Sequence, residues 1–422
     1  MSTLIHGDNY LTDISPLPQI IAIIILAISS IMLIYIITNN EKITFWNIIA
    51  VIPLGLSPYF LECLSYKYDA PYMALSMLGS IFPFLFKNHN KYLYIIICII
   101  GTILMCTTYQ SSSGIFLIIL ILLCLKEWNK GEKVKDILKF FMKSIVGFTL
   151  GLLIFKIFIL SMSTGAYKTY GISPINEIIP NAIKNICQYY TYIFSDFKST
   201  WIILITVSLI AFLYKTLKET KNKKVISFIV TICSLFLMSI LCFGVYPTLK
   251  SPLFNPRAMY GFGVFVAIIQ IYATNFEKMY FEKISCLILA WLFIVFSFTY
   301  GNALSTQKQY TDFRISMVIN DLNELEMFNN KNTKNVKIIG DIGKAPIINN
   351  MPDNYNILNR LIPNTFSGFW HWGKYYFYNY FALKNVKWND RIDEDSNDIL
   401  IIKDTMYHTI KANENNVVII LK

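Results

Sequence analysis

The chain has 422 residues, of which 55% are hydrophobic and 15% charged, with a mean hydropathy of +0.49. Soluble domains carry roughly a quarter charged residues, so this composition excludes a chain built only of water-facing domains. The formal net charge of +11 comes from lysines gathered between apolar runs, which reads as the lysine bias of cytoplasmic membrane loops rather than as a nucleic-acid surface.

Residues 1–17 are polar and lack the basic start of a cleavable signal peptide. The run IIAIIILAISSIMLIYII (20–37) then has no charge at all and is long enough to remain in a bilayer as a helix. About ten such segments can be drawn, near 18–38, 44–60, 70–86, 92–109, 112–126, 143–161, 200–216, 225–243, 258–275 and 284–301. The second contains Pro53, Gly55 and Pro58 and is expected to kink or end early. Residues 132–142 read as an amphipathic helix lying on the membrane. The long connection 162–199 has room for re-entrant or surface helices.

Lysines fall after the odd-numbered segments, at Lys42, Lys87, Lys91, Lys126 to Lys143, Lys215 to Lys224, Lys278 and Lys283. That side is therefore expected to be cytoplasmic. The N-terminus, the loops 60–70, 107–113, 162–199 and 244–257, and the tail are expected outside.

The tail changes character from about residue 302. QYTDFRISMVINDLNELEMF (309–328) reads as an amphipathic helix leaving the membrane, while VKIIG (336–340), ILIIK (399–403) and VVIIL (417–421) read as short strands. The aromatic stretch GFWHWGKYYFYNYF (368–381) suits either an interface anchor or the core of the appendage. The fold class expected is an all-α polytopic membrane protein with a small C-terminal α/β soluble domain, divided as 1–301 and 302–422.

The eight cysteines show no paired metal spacing, and six lie in apolar segments as small hydrophobes. Cys63 and Cys187 fall in expected loops and are candidates to pair. The four histidines are scattered, so neither a metal nor a cofactor is expected.

Polar residues at a membrane surface carry the functional reading. In SPYFLECLSYKYDAPYMALS (57–76), Glu62 and Asp69 are candidate general bases for a hydroxyl. Lys67 stands between them, and Tyr66 and Tyr68 are placed to orient sugar hydroxyls. In FNPRAMYGFG (254–263), Arg257 is the only arginine before residue 300, and its planar fork suits phosphate. Lys250 shares that loop and Tyr260 follows. TTYQSSSG (107–114) adds Tyr109 and Gln110 as neutral hydrogen-bonding groups. The competing readings are an interfacial loop with tyrosine anchors and a helix-end arginine reaching lipid headgroups. All these groups fall on the same expected outer face. A phosphate loop of the GxxxxGK[ST] type and a GxGxxG turn are both missing from the sequence.

Through DISPLPQ (13–19), SPYFLECLSYKYDAPYMALS, YQSSSGIF (109–116), NPRAMYGFG (255–263) and the QYTDFR helix, the chain resembles the serotype-converting glucosyl transferase family (Gtr type II), multi-pass enzymes of the GT-C kind. The resemblance implies a bacterial inner-membrane enzyme whose active face and C-terminal domain are extracytoplasmic. It implies transfer of a sugar, usually glucose, from undecaprenyl phosphate to a surface glycan such as O-antigen or a cell-wall polymer, with inversion at the anomeric centre. Carried over, Asp69 or Glu62 is base or sugar ligand. Arg257, Lys250 or Lys67 is the lipid-phosphate partner, with Tyr66, Tyr68, Tyr109, Gln110 and Tyr260 toward the sugar. Family members usually begin with a further membrane helix and an acidic outer loop. This chain begins at what looks like the end of that loop, with Asp8 and Asp13 ahead of the first apolar run. If the family's base sits in that loop, this chain lacks it. The rival reading is a transporter or flippase for a lipid-linked sugar, which calls for ionisable groups near the bilayer midplane. A membrane scaffold whose tail binds a partner is the third.

Overall fold

The computed structural model describes residues 7, 13–39, 43–159, 171, 173–174, 176–275, 280–325, 333–349, 355–369, 377, 383, 386–396 and 398–422. They divide into two compact units, Met1–Ser297 and Phe298–Lys422.

In the first unit, α1 (Leu17–Thr38) starts on Pro16 and Pro18 and closes at Asn39, whose φ of 57° gives the left-handed turn that ends many helices. Thr44 and Asn47 cap α2 (Phe45–Val51) reciprocally, each side chain accepting from the other's backbone N–H. Pro53 opens the short α3 (Pro53–Leu56), and Ser57 turns extended ahead of Pro58, which starts α4 (Pro58–Ser65). The expected kink at the prolines is a 58° bend at Ser57. Helices α5 (Ala70–Ile81, with a 3-10 turn over Phe82–Phe86), α6 (Lys91–Thr108), α7 (Ser113–Asn129) and α8 (Val134–Ile154) follow. Then come α9 (Ile178–Asp196), α10 (Ser199–Glu219), α11 (Lys224–Leu241) and α12 (Gly261–Thr274).

Seven described helices are long and apolar enough to cross a membrane, eight if the bent pair at Ser57 is one span. The expected segments 70–86 and 258–275 form shorter apolar helices of 10–17 residues. The expected surface helix at 132–142 is instead the first part of α8, with its lysines on the exposed side. Cys63 and Cys187 lie on α4 and α9 rather than in loops, one buried and one exposed, and both are free thiols, so the pairing that sequence left open is not formed.

α12 is buried along its whole length and packs against α2, α3 and α10. An all-round apolar helix of this kind belongs inside a bundle. Because lipid is as apolar as leucine, close packing rather than hydrophobic burial holds it there, and its small residues Gly261, Gly263, Ala267 and Ala273 permit the approach.

The division between the units falls inside α13 (Tyr280–Glu324), a single helix of 45 residues. Residues 302–324 contain neither glycine nor proline, so the expected tail helix continues the last apolar segment without a break. Beyond it lies a five-stranded mixed sheet, ordered β2-β1-β5-β4-β3, of β1 (Lys334–Ile339), β2 (Val386–Trp388), β3 (Leu400–Asp404), β4 (His408–Ala412) and β5 (Asn416–Leu421). β1 pairs in parallel with β2 and β5, and the other pairings are antiparallel. Ile315, Val318 and Leu322, three and four residues apart on α13, cover Val336, Ile338, Ile410, Val417 and Ile419. Arg314, nearly fully buried, donates from Nη2 to the carbonyls of Tyr407 (2.5 Å) and Lys422 (2.7 Å) and from Nη1 to the Tyr310 hydroxyl (2.6 Å). The QYTDFR stretch thus ties helix to sheet within this unit. The three expected strands form, and β2 and β4 join them. Most of the aromatic stretch 368–381 lies outside the described residues, although Phe377 is buried in the core and Phe369 is exposed.

Candidate functional site

The bend at Ser57 redirects the chain, so that α4 meets the loop that leads into α12. Gly263 sits against this bend. A Cβ there would collide with the Ser57 hydroxyl and stand 2.7 Å from the Pro53 carbonyl. In the loop ahead of α12, Pro256–Ala258 makes a single 3-10 turn that presents Arg257 to α4.

Glu62 receives it on both carboxylate oxygens. Arg257 Nη1 donates to Oε1 at 2.9 Å and the Arg257 backbone N–H donates to Oε2 at 2.5 Å. The same Nη1 donates to the Tyr66 hydroxyl at 2.7 Å, and the guanidinium carbon lies 5.3 Å from the Tyr66 ring centre. The Glu62 side chain is 9% exposed and that of Arg257 24%. Burial acts against the arginine's charge, but Glu62, Tyr66 and Tyr109 outweigh it and raise its pKa. A partly buried, bidentate carboxylate contact of this kind fixes geometry as well as charge.

Asp69 immediately precedes α5 and feels the field of Arg257. The residue reaches solvent, yet the surrounding loop crowds its carboxyl. This desolvation raises its pKa, more than Arg257 lowers it. Among the described residues no ion pair or side-chain hydrogen bond engages Asp69, in contrast to Glu62. Tyr109, beyond the end of α6, is a further neighbour of Arg257; burial raises its pKa, so it stays a protonated hydroxyl. The hydroxyls of Tyr72, Tyr109 and Ser111 are buried without a hydrogen-bond partner among the described residues.

The remaining expected site residues are placed as follows. Lys67 is exposed and ion-paired with Asp13 at 2.7 Å, which joins the segment before α1 to the α4–α5 loop. Tyr68 and Gln110 are half-buried in their loops. Tyr260 is fully buried, its hydroxyl 3.1 Å from Ser76 Oγ and its ring stacked 6.2 Å from that of Tyr109. It supports the cluster from behind. Lys250 is exposed, with its backbone N–H on the Gly171 carbonyl, and among the described residues its side chain joins no contact of the cluster. Two contacts were not readable from sequence, although Lys67 and Asp196 are among the polar residues it offers. One is the Asp13–Lys67 pair. The other joins the buried carboxylate of Asp196 to the Tyr59 hydroxyl, from which it accepts at 3.0 Å across 137 positions of sequence. Neither has a local signal, since each partner is ordinary where it stands.

Residues 2–268 match the family described as glucosyl transferase GtrII, a match that covers more than half of the chain. The chain is also 27% identical over 388 residues to a Salmonella phage P22 protein described as "Uncharacterized 55.3 kDa protein in gtrB 5'region", covering 88% of this chain and 78% of the relative. No solved structure matches the chain. The matched stretch contains every residue of the Glu62–Arg257 cluster, and the chain belongs to the glucosyl transferase GtrII family.

Proposed function

We propose that this glucosyl transferase moves a sugar, in the first instance glucose, from undecaprenyl phosphate to a surface glycan such as O-antigen or a cell-wall polymer, on the outer face of the bacterial inner membrane. The family membership supports glucosyl transfer. The single observation that carries the site assignment is Arg257, held by Glu62 and Tyr66 within the field of Asp69. In this reading about ten apolar segments form a GT-C-like membrane domain, and the N-terminus and C-terminal unit lie outside.

Asp69 is the proposed base. It takes the proton of the acceptor hydroxyl as that oxygen forms its bond to the anomeric carbon. The bond from that carbon to the phosphate oxygen breaks on the opposite side, which inverts the centre, and the lipid phosphate leaves with the electron pair. Arg257 is the proposed phosphate ligand. With Nη1 engaged by Glu62 and Tyr66, its Nη2 and Nε are the donors left for the charge that develops on the leaving oxygen in this reading. Lys67 adds a second cation at the rim. Glu62 is better suited to orienting the guanidinium than to accepting a proton, because both its oxygens are engaged. Tyr66, Tyr68, Tyr109 and Gln110 are the proposed sugar contacts.

The test uses the purified full chain with undecaprenyl-phosphate glucose. Free undecaprenyl phosphate should accumulate only when a glycan acceptor is supplied. Export or flipping of the donor in sealed vesicles, without cleavage, would replace this reading with the transporter.

A further inference from the structure

The other end of the first unit holds a second polar site. α1 carries 22 residues, about 33 Å of rise, from Leu17, close to the Asp13–Lys67 pair, to Thr38. At the Thr38 end, Asn39 lines a cavity of about 610 Å³ between the end of α1, the turn after α5, the end of α7 and the start of α8. This is the lysine-rich end of the helices.

Three ammonium groups, Lys87, Lys130 and Lys143, line this cavity against one carboxylate, Glu127. Glu127 is engaged by Lys130 at 2.9 Å. Lys143 is fixed in the wall, donating to the Lys87 carbonyl at 3.1 Å and lying 5.0 Å from the Tyr94 ring centre. Lys87 is half-buried, and among the described residues its ammonium has no ion pair and no hydrogen bond. Asn39, Asn88 and His89 add neutral polar groups, and Ile36, Leu85, Leu123 and Phe140 form an apolar part of the wall. A second cavity of about 700 Å³ shares Phe140 and Lys143 and continues along Ile95, Met142 and Val146. Met142 and Val146 belong to the exposed apolar face of α8, the face a bilayer would cover.

Two uncompensated ammonium groups beside an apolar track match a phosphate ester that carries a hydrocarbon chain. We propose that this cavity binds the phosphate headgroup of an anionic membrane lipid, with Lys87 and Lys143 on the phosphate and an acyl chain along Ile95, Met142 and Val146. A partly enclosed basic pocket between helices is the kind of site that retains such headgroups. Lys87 is the best probe because its replacement removes a charge and no protein hydrogen bond.

The test compares the full chain with Lys87→Gln and, as a control for overall charge, Lys135→Gln, whose lysine is exposed on α8 outside the cavity. Each is purified in detergent, titrated with phosphatidylglycerol, phosphatidylcholine or inorganic phosphate, and read by native mass spectrometry and thermal unfolding. Phosphatidylglycerol should stay bound to the unmodified chain and to Lys135→Gln and raise their unfolding temperature, and Lys87→Gln should retain about fivefold less or lower still. Without lipid, Lys87→Gln should unfold no earlier than the unmodified chain, since it relieves crowding of like charges; this separates lost binding from misfolding. Equal losses in the two variants, equal retention of phosphatidylcholine, or full stabilisation by inorganic phosphate alone would each overturn the proposal.

Discussion

Replacing Glu62 by glutamine keeps the shape of the side chain but turns one of its two acceptor oxygens into a donor, facing either the guanidinium or the backbone N–H of Arg257. Both contacts are charge-assisted and the carboxylate is 9% exposed, so water replaces little of what is lost. One such hydrogen bond contributes about 1.5–3 kcal/mol, and the unpaired donor adds to that, so Glu62→Gln should weaken the seating of the Arg257 loop on α4 by about 2–3 kcal/mol. Cys63 reports this directly. Its thiol is buried with Sγ 3.8 Å from the Arg257 carbonyl, so it can be alkylated only when the contact opens. In a background with the exposed Cys187 and Cys233 replaced by alanine, the labelling rate of Cys63 should rise about 30- to 150-fold. Arg257→Gln should raise it to a similar extent, and the double variant should fall well short of the product of the two. Single effects that multiply to within about twofold would show that the two residues do not act as a pair, and the site geometry would have to be abandoned.

Lys67→Gln should leave stability within about 0.5 kcal/mol in a thermal scan, because its partner Asp13 is also exposed. If Lys67 also meets the donor phosphate, KM for the lipid donor should rise several-fold with kcat little changed. Gly263→Ala should destabilise the membrane unit by about 1–3 kcal/mol, since its Cβ would meet Ser57 and the Pro53 carbonyl; Cys63 labelling should accelerate along with thermal unfolding. In the tail, His408 is fully buried with Nε2 2.8 Å from Asp321 Oδ2 and with Nδ1 unpartnered among the described residues. Burial lowers its pKa, assisted by Arg314 and Lys403 and opposed by Asp321. The folded state therefore favours neutral imidazole. Stability is full above the ordinary histidine value of about 6.5 and falls as pH drops from there toward the lowered folded value. Protection of the β4 and β5 amides, taken relative to the intrinsic exchange rate at each pH, should fall over that window in the intact chain and should lose most of that fall in His408→Gln.

Much of the helical part is legible because apolar runs in a bilayer must satisfy their own backbone groups. The break at Pro53, Gly55 and Pro58 is equally legible, since proline restricts the residue before it, here Ser57. Helix ends are less so. Lysines at 133–143 mark a surface but do not stop a helix, and α8 runs straight through them; the same holds for the polar residues of α13 after 302. Strand β4, HTIKA, escapes a search for apolar alternation because its histidine is buried against an aspartate from α13. At the site, the lone arginine was a fair signal, since a guanidinium near a membrane needs a partner. The choice between Glu62 and Asp69 was not readable, because both are acidic residues in one short stretch. Only the tertiary contact with Arg257 separates a carboxylate with both oxygens engaged from one that, among the described residues, no ion pair holds.

The proposed base is best tested by the pH dependence of glucose transfer from undecaprenyl-phosphate glucose to an acceptor glycan, measured for the unmodified chain and for Asp69→Asn. Because the pKa of Asp69 is raised, the rate of the unmodified chain should fall with acid through a pKa above the usual aspartate value of about 3.9. Asp69→Asn should lose about 10²- to 10⁴-fold in kcat and with it that acid limb, while Cys63 stays as protected as before. An Asp69→Asn protein that transfers glucose at the unmodified rate, with the same pH profile, would contradict the account.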